Sequence, residues 1–275
     1  MTTNKTETIH PMDALLAIMS RLRDPETGCP WDLRQDFRTI VPYTVEETYE
    51  LVDAIEAADY EQVREELGDV LFQVVFYAQL GAERELFDFK DVLDGISSKL
   101  VSRHPHVFGD LQASETGQSL SEAEVKQNWE RFKQAEREKK MRSAILDDVP
   151  RALPSLSRAQ KLQKRAASVG FDWRDTDGVW GKIEEEMAEL REAIAADSQA
   201  EIEAELGDVL IAVVNLARHL GIDAETATRR ANGRFEDRFR LMEQAADEDG
   251  VALDQETVEQ LEERWQRAKA KLASA

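Results

Sequence analysis

The sequence predicts an all-α protein built from two tandem copies of one helical-bundle unit. Three observations carry that reading. Glycine (13) and proline (7) are scarce in 275 residues, well below their usual combined share of about 12%. Apolar residues recur at helical spacing, and no stretch shows sustained strand alternation with β-branched enrichment. The second half also repeats the first: EETYELVDAI and then EELGDVLFQVVFYAQLG are echoed by EEMAELREAI and then AELGDVLIAVVNLARHLG, a duplication signal rather than chance acidity.

The expected helices run, in order, over 12–23, 45–58, 60–80, 90–103, 122–140, 155–169, 178–196, 199–220, 224–246 and 255–273. Four of them start with a possible capping box, in which a cap side chain accepts from a free backbone N–H and a residue three positions on reaches back. These are Thr44 with Glu47, Asp59 with Gln62, Ser121 with Glu124 and Ser198 with Glu201. The third and eighth helices carry broad apolar stretches, Val70 to Leu80 and Val209 to Leu220. Such stripes exceed what one unit can cover, and a symmetric homodimer is the common way to bury the remainder. Basic pairs repeat after each ELGD, Lys99 with Arg103 and then Arg234 with Arg238, and Trp129 with Lys133 is matched by Trp265 with Lys269. The segment SAILDDVPRALP holds two prolines and interrupts the periodicity, so the expected organisation is a unit over 1–142, a linker over 143–154 and a second unit over 155–275.

Lys and Arg total 35 against 56 Asp and Glu, a net charge of −21, which repels phosphate backbones and anionic bilayers. General binding to nucleic acid or membrane is therefore disfavoured. Cys29 is the only cysteine, which excludes an intrachain disulfide and any cysteine-based metal cage. The first residues lack a basic start followed by an apolar run, and no segment reaches the ~18 apolar residues of a membrane span. The expectation is a cytoplasmic protein.

The chemistry is carried by carboxylates. Ile183, Met187, Leu190 and Ile194 form one helical stripe with Glu186 and Glu189 on its flank. Ile202, Leu206, Val209 and Val213 form the next, with Glu205 and Asp208 on the matching flank. A short link at Asp197 and Ser198 makes the two helices antiparallel neighbours, so the flanks can meet. Glu47, Glu50, Glu66 and Asp69 repeat this arrangement with the same nineteen-residue spacing. Four converging carboxylates stay ionised together only when a cation or protons compensate. Oxygen-only ligation suits Mg²⁺, with Mn²⁺ as a possible substitute. A di-iron bundle needs Glu-x-x-His on each of two helices, and the sequence has that spacing once, Glu7 with His10, ahead of the first expected helix. The competing reading is a helical scaffold whose acidic faces only maintain solubility.

EExxE followed by ELGD, with HPHVF after the first unit and NxRFxxRF after the second, resembles the MazG family of nucleoside triphosphate pyrophosphohydrolases. CPWD, LDDVP, KLQKRAA and GFDW extend the resemblance over nearly the whole chain. The short metal motif is shared with all-α relatives acting on dUTP or phosphoribosyl-ATP, and a relative narrowed to one nucleotide stays open. The resemblance implies Mg²⁺-dependent hydrolysis of NTPs and dNTPs between the α- and β-phosphorus atoms, in nucleotide-pool house-cleaning. It also implies a homodimer and a principal catalyst in the second unit. The expected catalytic and metal residues are Glu186, Glu189, Glu205 and Asp208, with Glu47, Glu50, Glu66 and Asp69 as metal ligands of the first unit. On the substrate side stand Lys182, Glu185, Arg234, Arg238 and Lys269. Trp173 and Trp265 are candidates for stacking on a base. Ordinary helix salt pairing with Glu236, Asp237 and Glu243 is the alternative for the two arginines, and core packing the alternative for the tryptophans. Three positions depart from the family pattern: Arg234 stands where Lys is common, Glu201 where a basic residue is expected, and QDF (Gln35 to Phe37) where QTH is familiar.

Overall fold

A computed structural model describes residues 10–108, 121, 124, 144–147 and 149–273. Among them every regular element is helical. The chain divides into two compact units, Met1–Ala135 and Glu136–Ala275; the division falls ahead of the proline-bearing segment expected to link them.

In the first unit, α1 (Pro11–Leu22), α2 (Pro30–Leu33), α3 (Val41–Glu56), α4 (Tyr60–Ala82), α5 (Phe89–Arg103) and α6 (Pro105–Phe108) follow one another. Helix α3 starts four residues earlier than expected because Pro42, in its first turn, is pre-set for helix entry and lacks an N–H there to satisfy. Thr44 is therefore inside the helix and caps nothing, and Glu47 is free of the capping role. Asp59 does cap α4, accepting from the Glu61 and Gln62 amides. Helices α3 and α4 form a hairpin closed by Ala58 at φ 56. Around it Asp59 N–H donates to Ala54 O at 3.1 Å and Ala58 N–H to Ile55 O at 3.2 Å, the hydrogen bonds of a Schellman turn. Met19, Ile40, Val75, Phe76 and Leu80 form the core, with Phe37, Phe72, Tyr77 and Phe89 packed on it. Arg23 crosses this core. It holds Glu83 through two 2.7 Å hydrogen bonds, donates to Asp32 O, and stacks on Phe76 at 5.3 Å.

In the second unit, α7 (Ser155–Ala167), α8 (Thr176–Ala195), α9 (Gln199–His219), α10 (Ala224–Asp249) and α11 (Val258–Ala273) are joined by tight connections. The α8–α9 hairpin closes as α3–α4 does, with Asp197 at φ 53 and Ser198 N–H on Ala193 O at 3.3 Å. Ser198 makes no side-chain cap, so the expected box with Glu201 is not formed. Gly250, at φ 68, ends α10, and the last helix starts three residues later than expected, where Thr257 and Gln260 cap it reciprocally. The small core is Val179, Ile183 and Ala212, with Met187 and Leu216 packed on it. Helix α7 leans on α9 through Gln163 Nε2, which donates to Ile211 O at 2.8 Å. Of the expected helix over 122–140, only Glu124 lies within the described residues, and Ser121 exchanges hydrogen bonds with it as the box requires. Trp129 and Lys133 lie outside them.

The inward faces differ from the expected stripes. Leu206, Val213 and Ile194 are half exposed, at 49%, 47% and 57%, whereas Val179, Glu186, Ala193, Ala212 and Val214 are buried. The helix pair thus turns its small residues and Glu186 inward. A Cβ at Gly68 or Gly207, the glycines inside the two ELGD motifs, would meet nothing within 4 Å, so no close helix approach accounts for glycine at either position. No described helix is long and apolar enough to cross a membrane.

Candidate metal centres

The α8–α9 hairpin presents Glu186 from one helix against Glu205 and Asp208 from the other. Each offers one carboxylate oxygen, and the three oxygens lie within 4.8 Å of one another. Glu186 is only 6% exposed. A carboxylate that buried requires a charge partner, which Lys182 supplies one turn earlier: its Nζ lies 2.7 Å from Glu186 and 2.7 Å from Glu185. The two carboxylates hold the ammonium protonated well above the ordinary lysine range. Glu189 stands outside the triangle yet feels its charge. Desolvation first, and then the charges of Glu186 and Glu205, push its carboxyl above the usual carboxylate range, with Lys182 opposing.

In the first unit Glu47, Glu66 and Asp69 make the same 4.8 Å grouping. Desolvation, followed by Asp69, Glu50, Glu66 and Glu46, raises the Glu47 carboxyl. No cation enters that balance. The position four residues before Glu47 is Tyr43, whose ring meets Trp31 edge-on at 5.5 Å. Both triads are all-oxygen and carry more negative charge than nearby groups neutralise, the donor set that a hard divalent ion satisfies.

Of the substrate-side candidates, Lys182 and Glu185 sit beside the second triad. Arg234 and Arg238 lie on α10, and Arg238 rests 5.5 Å over the ring of Trp265 on α11, which also packs on Phe235 at 5.1 Å. Glu236 and Asp237 pair with Arg240 instead, and the Arg238 Nε is buried without an acceptor. Among the described residues neither arginine is ion-paired, so ordinary helix salt pairing does not account for them. Lys269 is exposed on α11. Trp173, 47% exposed, lies over Gly178, where an added Cβ would come within 2.9 Å of the indole.

Sequence reasoning passed over one polar group. Asp172 binds Arg218 and, at 2.9 Å, His219 Nε2. Burial works against its charge, but the hydrogen bonds from Arg218 and His219 outweigh it and hold the carboxyl below the usual range. The available signal was Asn215, Arg218 and His219 at helical spacing on an otherwise apolar segment.

Comparison with known proteins agrees with these motifs. The model of the MazG nucleotide pyrophosphohydrolase domain matches residues 35–108 and 179–240, once in each unit. The chain is 51% identical over 265 residues to a nucleoside triphosphate pyrophosphohydrolase of Escherichia coli (strain K12), covering 95% of this chain and 98% of that one. It is 43% identical to a nucleoside triphosphate pyrophosphohydrolase/pyrophosphatase MazG of Thermotoga maritima, covering 94% and 95% of the two chains. A nucleoside triphosphate pyrophosphohydrolase of Mycolicibacterium smegmatis is 38% identical over 158 residues, 57% of this chain and 46% of that one.

Proposed function

This chain belongs to the MazG family of nucleotide pyrophosphohydrolases, and on that premise we propose that it hydrolyses NTPs and dNTPs at the α–β phosphate bond to a nucleoside monophosphate and pyrophosphate. The observation that carries this reading is the triangle of Glu186, Glu205 and Asp208 with Lys182 against it. The site takes Mg²⁺, held by Glu186, Glu205 and Asp208 with Glu189 beside them. The ion supplies Lewis acidity toward phosphorus and a more acidic bound water. Lys182 orients Glu186, restrains repulsion within the cluster and adds a cation on the triphosphate side. Glu185 anchors that lysine. Arg234 and Arg238 meet phosphate oxygens, with Trp265 fixing the plane of the second guanidinium and Lys269 adding charge one turn further on. No serine or cysteine nucleophile is needed.

The second unit, taken as 155–275, is the principal catalyst, and 143–154 links it to the first unit over 1–142. Glu47, Glu50, Glu66 and Asp69 bind an ion in the first unit without comparable turnover. Leu206, Leu210 and Val213, each about half exposed, lie on one face of α9 with the open Gly207, and we assign that face to a homodimer contact. Cytoplasmic nucleotide pools are the proposed substrate source. The test is incubation with the common NTPs and dNTPs and Mg²⁺, with products separated by chromatography. Pyrophosphate and monophosphate are expected; orthophosphate would overturn the bond assignment. Elution as a monomer in light scattering would overturn the dimer.

A further inference from the structure

Behind the second triad lies a cavity of about 270 Å³ lined by Gln163, Phe171, Asp172, Trp173, Asn215 and Arg218. Pockets that bury whole drug-sized ligands span roughly 300–1,000 Å³, so this one has room for a ring system rather than an entire nucleotide. Its position follows from the two helices that carry the triad. Asn215 is seven residues beyond Asp208 on α9, two turns along the same face and about 10 Å away. On α8, Glu186, Lys182 and Gly178 recur every four residues, and Trp173 rests on Gly178. The two strips run antiparallel, so Gly178 and Asn215 lie at the same end of the hairpin, about two turns from the carboxylates.

The wall chemistry selects what enters. Asp172 already pairs with Arg218 and contacts His219 Nε2, leaving no unpaired cation for a phosphate. Arg218 donates to Asn215 Oδ1 through Nε at 3.0 Å and Nη2 at 2.8 Å, which fixes the amide and leaves its Nδ2 as an uncommitted donor. Gln163 spends its Nε2 on Ile211 O, and its buried Oε1 has no donor. Phe171 and Trp173, 82% and 47% exposed, supply flat apolar surface. A neutral planar ring with a donor and an acceptor on one edge satisfies all of these.

The fold does not require such a hollow. Positions in the two units correspond at a constant offset of 139 residues, which takes Glu47 to Glu186 and Asp69 to Asp208. The counterpart of Asn215 is Phe76, fully buried in the first unit's core, and the counterpart of His219 is Leu80. At that place the first unit is filled by a buried ring, whereas the second leaves a cavity.

We propose that this cavity, between α7, the segment ahead of α8 and the carboxy-terminal half of α9, is the nucleobase subsite of the second unit, with Trp173 as stacking platform and Asn215 as edge donor. The proposal rests on the pyrophosphohydrolase reading. Three variants test it: Trp173→Ala removes the platform, Gly178→Ala displaces it while favouring helix, and Asn215→Phe installs the residue that plugs the first unit. Each should raise the KM for NTPs about 10-fold, in line with the usual loss on deleting a base-stacking aromatic, with kcat within about 2-fold. The Ki of inorganic tripolyphosphate, which has no base, should stay unchanged. Equal weakening of tripolyphosphate would show a merely structural role, and unchanged KM values would show that the base lies elsewhere; either overturns the proposal. If the wild type released no pyrophosphate from any nucleotide, the enzymatic reading would fail separately. Calorimetry with free nucleosides at millimolar concentration would then decide, binding to wild type but not to Asn215→Phe supporting the cavity and no binding to wild type refuting it.

Discussion

The α3–α4 and α8–α9 hairpins share a turn, a residue offset and three convergent carboxylates, yet their interiors have parted. Beside Glu47 the interior is polar: Thr44 meets the Tyr77 hydroxyl at 2.9 Å and lies 3.5 Å from Gln73 Oε1. At the matching places beside Glu186 stand Ile183, Leu216 and Ala212. Tyr43 occupies the place of Lys182. Identical acidic motifs therefore sit in different electrostatic settings. With a lysine present, the carboxyl that is raised is Glu189; without one it is Glu47, desolvation leading and neighbouring carboxylates adding in both. Motif retention alone says little about which copy works.

The sharpest way to break this comparison is to remove one carboxylate from each triad. Glu205→Gln should lower pyrophosphate release by about two orders of magnitude, whereas Glu66→Gln should leave most of it. The reverse order would move the active centre to the first unit. Exchanging the flanking residue comes next. Lys182→Tyr, which gives the second triad the first's setting, should cost about 10-fold in kcat/KM and shift the acid limb of the pH–rate profile upward. The sign follows from Glu189, whose raised carboxyl Lys182 opposes: without that cation it rises further, so full deprotonation of the cluster demands higher pH. An unmoved limb would show that Lys182 does not control the cluster.

A smaller effect is expected at Asp172. Its folded pKa is depressed, so its contribution to stability is present above the unfolded carboxylate pKa and is lost as pH falls through the folded value. Asp172→Asn should destabilise the protein by about 1 kcal/mol at pH 7, with the difference vanishing under acid in paired denaturant melts. The smallest shift concerns the open glycines. Gly68→Ala should raise the melting temperature slightly, reflecting up to about 1 kcal/mol of helix propensity. Gly207→Ala should do so only at the expense of dimer affinity in sedimentation, and equal gains at both sites with unaltered association would remove Gly207 from the interface.

Much of this was legible in the sequence. The helical period, the nineteen-residue spacing and the second copy gave the fold and an expectation of four converging carboxylates per unit; three of each four meet, and Glu50 and Glu189 stand outside the groupings. What failed was orientation: periodicity locates a stripe but not the side on which a third helix lands. Leu206 and Val213 were therefore assigned to the core while Ala212 and Val214 hold it. Thr44 looked like a cap because the earlier start set by Pro42 was not recognised. The Asp172–Arg218 contact joins residues 46 positions apart, a loop to a helix end, and no local pattern announces such a pairing.

The Arg23 contact with Phe76 carries a historical consequence. Giving the first unit the form of the second would require replacing Phe76, but that ring also supports a buried guanidinium whose other partners, Glu83 and Asp32 O, lie in two other stretches of chain. A lone exchange at position 76 would strip the ring from the face of that guanidinium before any hollow became useful. Divergence between the halves has thus acquired a ratchet, and reversal would demand several substitutions at once.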